Sequence, residues 1–167
     1  MDLQALTSAM IAYDAGDPMR IHHFLKVHAF ARLIGLSEGL PSDLQEITEA
    51  AALVHDIGIH RAEALYGSSA GKYQEELGPT EAKTLLESLH APAAITARVA
   101  YLVGHHHTYT GIDGLDYQIL VEADFLVNLY EDQLPAEARK HAYTSIFRTK
   151  TGKRLCRELY PDVVQAE

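Results

Sequence analysis

The sequence has little cysteine, few basic residues and no long apolar run, and each shortage argues against a class of protein. Its 167 residues contain one cysteine, Cys156, so no disulfide can form within the chain, and a reducing, cytoplasmic location is expected. A formal net charge of −9 argues against general nucleic-acid binding. No apolar stretch approaches the roughly 20 residues of a membrane span, and the first residues lack a signal-peptide pattern. We therefore expect a globular protein that does not act on membranes.

The sequence is rich in helical patterns and in histidine. Side chains on one stripe recur at steps of three and four, as in His23, Val27, Phe30 and Ile34, which is the spacing of a helix face. Glycine and proline separate the periodic segments. The fold is therefore predicted to be all-α, a compact multi-helix bundle with helices near residues 2–14, 18–36, 42–56, 60–66, 73–90, 92–106, 116–131, 135–147 and 150–159.

Four polar features interrupt the apolar helices. His55 and Asp56 end the run "AALVHDIG", His23 lies on a core-facing stripe, Asp124 is embedded in "VEADFLVNL", and three consecutive histidines occur in "GHHHTYTG". Each alone has an ordinary explanation, such as a solvated helix end, a hydrogen-bonded core histidine or an ion pair. Their combination in one small helical chain is harder to explain this way, because buried imidazoles and carboxylates without partners are costly. Together they indicate a metal site.

The order His, His-Asp, Asp resembles the HD-domain superfamily of metal-dependent phosphohydrolases. "RIHHFLKVHAFARLIG" is similar to the first motif of that family, "AALVHDIG" to the motif that names it, and "VEADFLVNL" to the region of its last aspartate. The resemblance implies that His23, His55, Asp56 and Asp124 bind one metal ion. It also implies one HD-type domain over residues 1–167, with the motifs within about 20–130 and the helices of 131–167 packed on them.

The stretch "GHHHTYTGIDG" also resembles the histidine pair of HD proteins that hold a second metal. The spacing to its glycine turn aligns His105 and His106 with that pair. Such members usually carry another histidine upstream, but the corresponding stretch here, "KYQEELGPTEA", has none. Two alternatives therefore stay open: Glu75 or Glu76 is the added ligand of a second site, or that second site is incomplete.

The resemblance further implies hydrolysis of a small phosphorylated metabolite, such as a nucleotide, by a metal-activated water, with His55 and Asp56 as the catalytic pair. The cofactor is expected to be one or two divalent ions, and the donor types suit Fe, Mn, Zn, Co, Ni or Mg. Whether the chain forms a homo-oligomer is left open. Two alternative functions are also left open, namely a di-iron oxygenase of the same fold and a non-catalytic metal-bound ligand sensor. The candidate substrate-binding residues are Lys72, in a Gly/Ser-rich loop, then Arg61, Lys26 and Arg20, and also Tyr109, His60 and His107, each of which could equally be an ordinary surface residue.

Overall fold

The computed structural model describes residues 1–164 and confirms the all-α prediction. No strand occurs among these residues. The α-helices are α1 (Leu3–Tyr13), α2 (Pro18–Ser37), α3 (Ser42–Val54), α4 (Ile59–Tyr66), α5 (Gly71–Ser88), α6 (Ala93–Val103), α7 (Leu115–Glu131), α8 (Ala136–Ser145) and α9 (Lys150–Leu159), followed by a 3₁₀ turn at Pro161–Val163. Within the described range, no helix is both long and apolar enough to cross a membrane.

Short polar side chains fix where several helices begin. Asp2 caps α1 by accepting hydrogen bonds from the backbone N–H groups of Gln4 and Ala5, both at 2.9 Å. Asp17 caps α2 in the same way and is followed by Pro18, whose missing N–H is not needed in the first turn. Local sequence therefore sets the start of α2, the helix that carries His23.

Helix α7 occupies the centre of the bundle and is buried on nearly every side. It packs against α2 and α3, while α3 also contacts α1 and α6, and α5 lies against α6. A carboxylate in the buried part of α7 is therefore removed from water and needs a partner from its own helix or a neighbouring element. Helix α9 contacts α7 and α2. The single-domain boundary stays a prediction, and residues 165–167 lie outside the described part of the chain.

Several helices end earlier than the sequence pattern predicts, and two of these ends form the site. Helix α3 stops at Val54 and not at residue 56, and α6 stops at Val103 and not at residue 106. The turn after α3 passes directly against α5, because a Cβ placed on Gly58 would lie 2.9 Å from both the Gln74 carbonyl oxygen and the Gly78 nitrogen. This close approach requires glycine and holds the turn in place.

Candidate metal centre

His23 enters the site from α2. It is buried on the same face as Val27 and Ile34. Its Nδ1–H donates to Glu131 Oε2 at 2.7 Å, and Glu131 is also paired with Lys26. A hydrogen bond at Nδ1 fixes the tautomer and orientation of the ring. The Nε2 atom of His23 is therefore directed into the interior.

His55 and Asp56 enter from the turn after α3. The His55 ring is fully buried and its Nδ1–H donates to the Ala52 carbonyl oxygen at 2.9 Å. Its Nε2 then faces His23 Nε2 at 3.1 Å. In the neutral tautomers both Nε2 atoms carry lone pairs, which repel unless a proton or a cation lies between them. A proton or a cation between the two Nε2 atoms would therefore stabilise the pair.

Two carboxylates complete this first cluster. Asp124 Oδ1 lies 3.2 Å from His23 Nε2 and 3.5 Å from His55 Nε2, and Asn128 donates to it at 2.8 Å. Asp56 Oδ2 lies 3.4 and 3.5 Å from the same two nitrogens. Two ligands that are each about 2.1 Å from one ion are separated by about 3.0 to 3.4 Å. The four side chains thus converge at the spacing of a coordination sphere.

The charges of the cluster support each other. Burial alone would lower the pKa of His23, but the hydrogen bond to Asp124 and the charge of Asp56 outweigh it and raise the pKa to about 9. Burial would raise the pKa of Asp56 and of Asp124, but the neighbouring histidines hold both well below their usual range. Both carboxylates are therefore ionised at neutral pH, as metal ligands must be.

A second cluster shares Asp56 with the first. Asp56 Oδ1 lies 3.5 Å from His106 Nε2, and His106 Nδ1–H donates to the Val103 carbonyl oxygen at 2.8 Å. Asp56, His106 and His107 bring one donor atom each within 4.8 Å of one another. The Nε2 atoms of both histidines are buried and have no hydrogen-bond partner among the described residues. Burial and then His106 lower the pKa of His107 to about 4, so its ring is neutral.

Comparison with known proteins identifies the family. The family model for the HD domain matches residues 20–142, which include every residue of both clusters. The chain belongs to the HD-domain family. A solved crystal structure from an uncultured Thermotogales bacterium, described as a predicted HD superfamily hydrolase, is 27% identical. It superimposes with a TM-score of 0.65 over 97% of this chain and 85% of that one. No curated protein matches significantly.

This membership makes the chain one of a family of metal-dependent hydrolases whose domains bind divalent metals. In this HD domain the geometry departs from the predicted histidine pair at one position. His105 turns away from Asp56, because its Nδ1–H donates to the Tyr101 carbonyl oxygen at 2.7 Å and its ring stacks on the Tyr101 ring at 4.2 Å. Since α6 ends at Val103, the next residues leave the helix direction, and His106 with His107 face Asp56.

Neither predicted glutamate joins the clusters. Glu75 Oε1 accepts hydrogen bonds from the His107 backbone N–H and the Thr108 hydroxyl, both at 3.0 Å, so it supports the histidine turn from outside. Glu76 is exposed and accepts from the Tyr66 hydroxyl at 2.9 Å. The sequence does not show which of Glu75 and Glu76 faces the site. Adjacent residues point in different directions from a helix, and only the packing of the neighbouring helices decides which direction leads to the clusters.

A cavity of about 530 Å³ adjoins the first cluster. Six of the seven candidate substrate residues do not line it, namely Lys72, Arg61, Lys26, Tyr109, His60 and His107. Lys72 lies over the Tyr73 ring, Arg61 is exposed on α4, and Tyr109 packs against Phe125. Arg20, a lower-ranked candidate from the sequence, does line it. Among the lining residues that the sequence does not indicate are Asn128 and Glu131, because polar side chains near the end of a helix have the pattern of a solvated surface. The lining residues are Met19, Arg20, His23, Asp56, Ile59, Glu63, Ser69, Asn128, Glu131 and Asp132.

Proposed function

We propose that this HD domain is a phosphohydrolase that cleaves a small phosphate ester and uses two divalent ions. His23, His55, Asp56 and Asp124 would hold one ion, and Asp56, His106 and His107 the other. The observation that carries the proposal is that Asp56 directs one carboxylate oxygen to each cluster and lines the cavity. A shared carboxylate is how two ions are kept close enough to act on one phosphoryl group.

The residues fit such ions chemically. Mixed imidazole and carboxylate donors suit Fe, Mn, Zn, Co, Ni or Mg in different degrees, so the donor set leaves the choice among them to experiment. Buried polar atoms without partners destabilise a protein by about 1–3 kcal/mol each. The unpartnered Nε2 atoms of His106 and His107 and the opposed Nε2 atoms of His23 and His55 would all be satisfied by cations.

When bound, such ions lower the pKa of water towards neutrality and polarise a phosphoryl oxygen. The protein's part is orientation. Glu131 and the carbonyl oxygens of Ala52 and Val103 each accept the Nδ1–H of one histidine and thereby present its Nε2 inwards. Partners of this type are known to strengthen metal binding. The cavity volume is within the range that accommodates a metabolite-sized ligand.

The test is metal analysis of protein purified without added metal, followed by assay against a panel of phosphate esters with Mn²⁺, Co²⁺ or Mg²⁺. We expect up to two ions per chain and ester hydrolysis that Asp56→Ala abolishes. The matched control is Asp113→Ala, because Asp113 is an exposed aspartate paired with Arg98. Tightly held iron without hydrolysis of any ester would contradict the proposal and favour the oxygenase alternative. Bound metal with neither activity would favour a sensor.

A further inference from the structure

The N-terminal helix precedes the matched region of 20–142, yet its last turn contacts residues that lie next to the cavity wall. Asp14, the residue that ends α1, is buried, and its Oδ1 lies 2.8 Å from His60 Nε2 on α4. The neighbouring Tyr13 hydroxyl donates to the Ile57 carbonyl oxygen at 3.2 Å, within the turn that carries His55 and Asp56. Helix α1 is therefore tied to both the turn and the wall.

His60 links Asp14 to Arg20. Its Nδ1 lies 2.9 Å from Arg20 Nη1. A guanidinium can only donate hydrogen bonds, so Nδ1 accepts, and the ring proton is on Nε2, where it is donated to Asp14. This arrangement specifies which nitrogen of the His60 ring accepts and which donates. It also restricts where the guanidinium can lie, since moving Arg20 would break a hydrogen bond to a ring that is itself held by a buried carboxylate.

Arg20 is the one arginine or lysine among the described residues that line the cavity. Its Nη2 donates to Glu63 Oε1 at 2.7 Å. An arginine has five N–H donors, and the bonds to His60 and Glu63 use two of them, so donors remain for a ligand. The other charged groups on the wall are carboxylates, namely Asp56, Glu63, Glu131 and Asp132. His23 also lines the cavity, but as a metal ligand it is a neutral imidazole. In the metal-loaded protein, a substrate anion would therefore find Arg20 as the single cationic side chain among the described lining residues.

We propose that Arg20 binds a phosphoryl oxygen of the substrate and that Asp14 and His60 are its positioning residues. The inference rests on the proposed function, because it names the anion-binding group of the same cavity. It assigns a role to α1, which contributes no residue to either metal cluster. A guanidinium held in place loses less conformational freedom when an anion binds, so pre-positioning strengthens binding.

The competing explanation is that the network only ties α1 to α4. The chain contains a matched control for it, because His28 lies in a similar network away from the cavity. His28 Nε2 is 3.0 Å from Glu49 Oε2, and Arg32 Nη1 donates to the same carboxylate. His28→Leu therefore removes a histidine–carboxylate contact that is linked to an arginine but leaves the cavity wall intact.

The experiment measures binding of orthophosphate to the metal-loaded protein by calorimetry, with metal content checked for each variant. We expect Arg20→Gln to weaken binding by about 10-fold or more, the usual loss for one charge-assisted hydrogen bond. Glu63→Gln should strengthen binding, because it removes a competing carboxylate. His60→Leu should weaken it several-fold, whereas His60→Gln, which can still accept from Arg20 and donate to Asp14, should retain most of the affinity.

Kinetics with para-nitrophenyl phosphate supply the second readout. We expect His60→Leu to raise KM more than it lowers kcat, while His28→Leu leaves KM unchanged. If no ester is hydrolysed but Arg20→Gln weakens orthophosphate binding, the proposed function fails and the role of Arg20 stands. If Arg20→Gln binds orthophosphate like the wild type, or if the wild type does not bind it, the inference is overturned. If His60→Leu behaves like His28→Leu in both assays, the positioning role is overturned.

Discussion

The three consecutive histidines offer a sharp test of the second cluster, because neighbouring residues have opposite surroundings. His106 is buried with an unpartnered Nε2, 3.5 Å from Asp56, whereas His105 is stacked on Tyr101 outside the cluster. His106→Ala should therefore remove the second ion. His105→Ala, a substitution of the same size one residue away, should leave it bound.

The magnitude follows from mass action. A ligand present at 100 times its Kd stabilises the folded state by about 2.7 kcal/mol. Loss of His106 should weaken the second ion by at least the 10–100-fold that removal of an outer-shell partner costs. If the affinity falls 100-fold, the same metal concentration stabilises the folded state by only about 0.4 kcal/mol. The difference of about 2.3 kcal/mol corresponds to a loss of about 5–9 °C in the metal-induced rise of Tm for a chain of this size.

The assay combines metal content by mass spectrometry with thermal unfolding in the presence and absence of added Mn²⁺. Because the comparison uses the metal-induced increment, any change in the metal-free Tm cancels out. We expect two ions in His105→Ala and one in His106→Ala. The reasoning would be refuted if His106→Ala kept both ions or if His105→Ala lost one. Loss of an ion in both variants would restore the His105–His106 pair that the motif resemblance implies.

Three further predictions follow from single contacts. Glu75→Ala should weaken the second ion by about 10–100-fold because it removes the acceptor for the His107 N–H; metal titration should show no such change for Glu76→Ala, and equal losses would contradict the assignment. Gly58→Ala should destabilise the protein by about 1–3 kcal/mol, because its Cβ would meet the α5 backbone at 2.9 Å; an unchanged urea midpoint would exclude this. Since the metal-free pKa of His23 is about 9, metal binding at pH 7 should release a proton, and affinity should rise by up to tenfold per pH unit until about pH 9; calorimetric heats that do not depend on the buffer's ionisation enthalpy would argue against it.

The helices and the first cluster could be predicted from sequence because their signals are local. Apolar periodicity indicates helices, and His55 and Asp56 at the end of an apolar run mark a position where polar groups enter the core. The prediction that His23 joins this pair came from the resemblance to the first motif of the HD family, in which its register with Val27 singles it out. The structure places these side chains within 3.5 Å of one another.

The residues of the second cluster and of the cavity could not be predicted from the sequence in the same way, because their positions depend on how the chain turns after a helix ends. Which of three adjacent histidines faces Asp56 is decided by the end of α6 at Val103. Lys72 was favoured for its Gly/Ser-rich loop, yet Arg20 lines the cavity, since α1 and α4 bring Asp14 and His60 to its guanidinium. Such convergence joins residues 40 or more positions apart and leaves no periodic trace in the sequence.

Two of the buried carboxylates of α7 show how a structural charge differs from a functional one. Glu122 and Asp124 lie two residues apart in the same apolar helix, and both are removed from water. Glu122 accepts hydrogen bonds from the backbone N–H groups of Arg148 and Thr149, from the Thr149 hydroxyl and from Gln118, so its oxygens are satisfied by donors that hold the start of α9 in place. Asp124 has one amide donor, Asn128, and otherwise faces imidazole nitrogens. A carboxylate saturated by backbone donors has little capacity left for a cation, whereas one directed at convergent Nε2 atoms is stabilised chiefly by positive charge. Burial alone therefore does not show which of the two carboxylates is a metal ligand. The groups that surround each carboxylate show it.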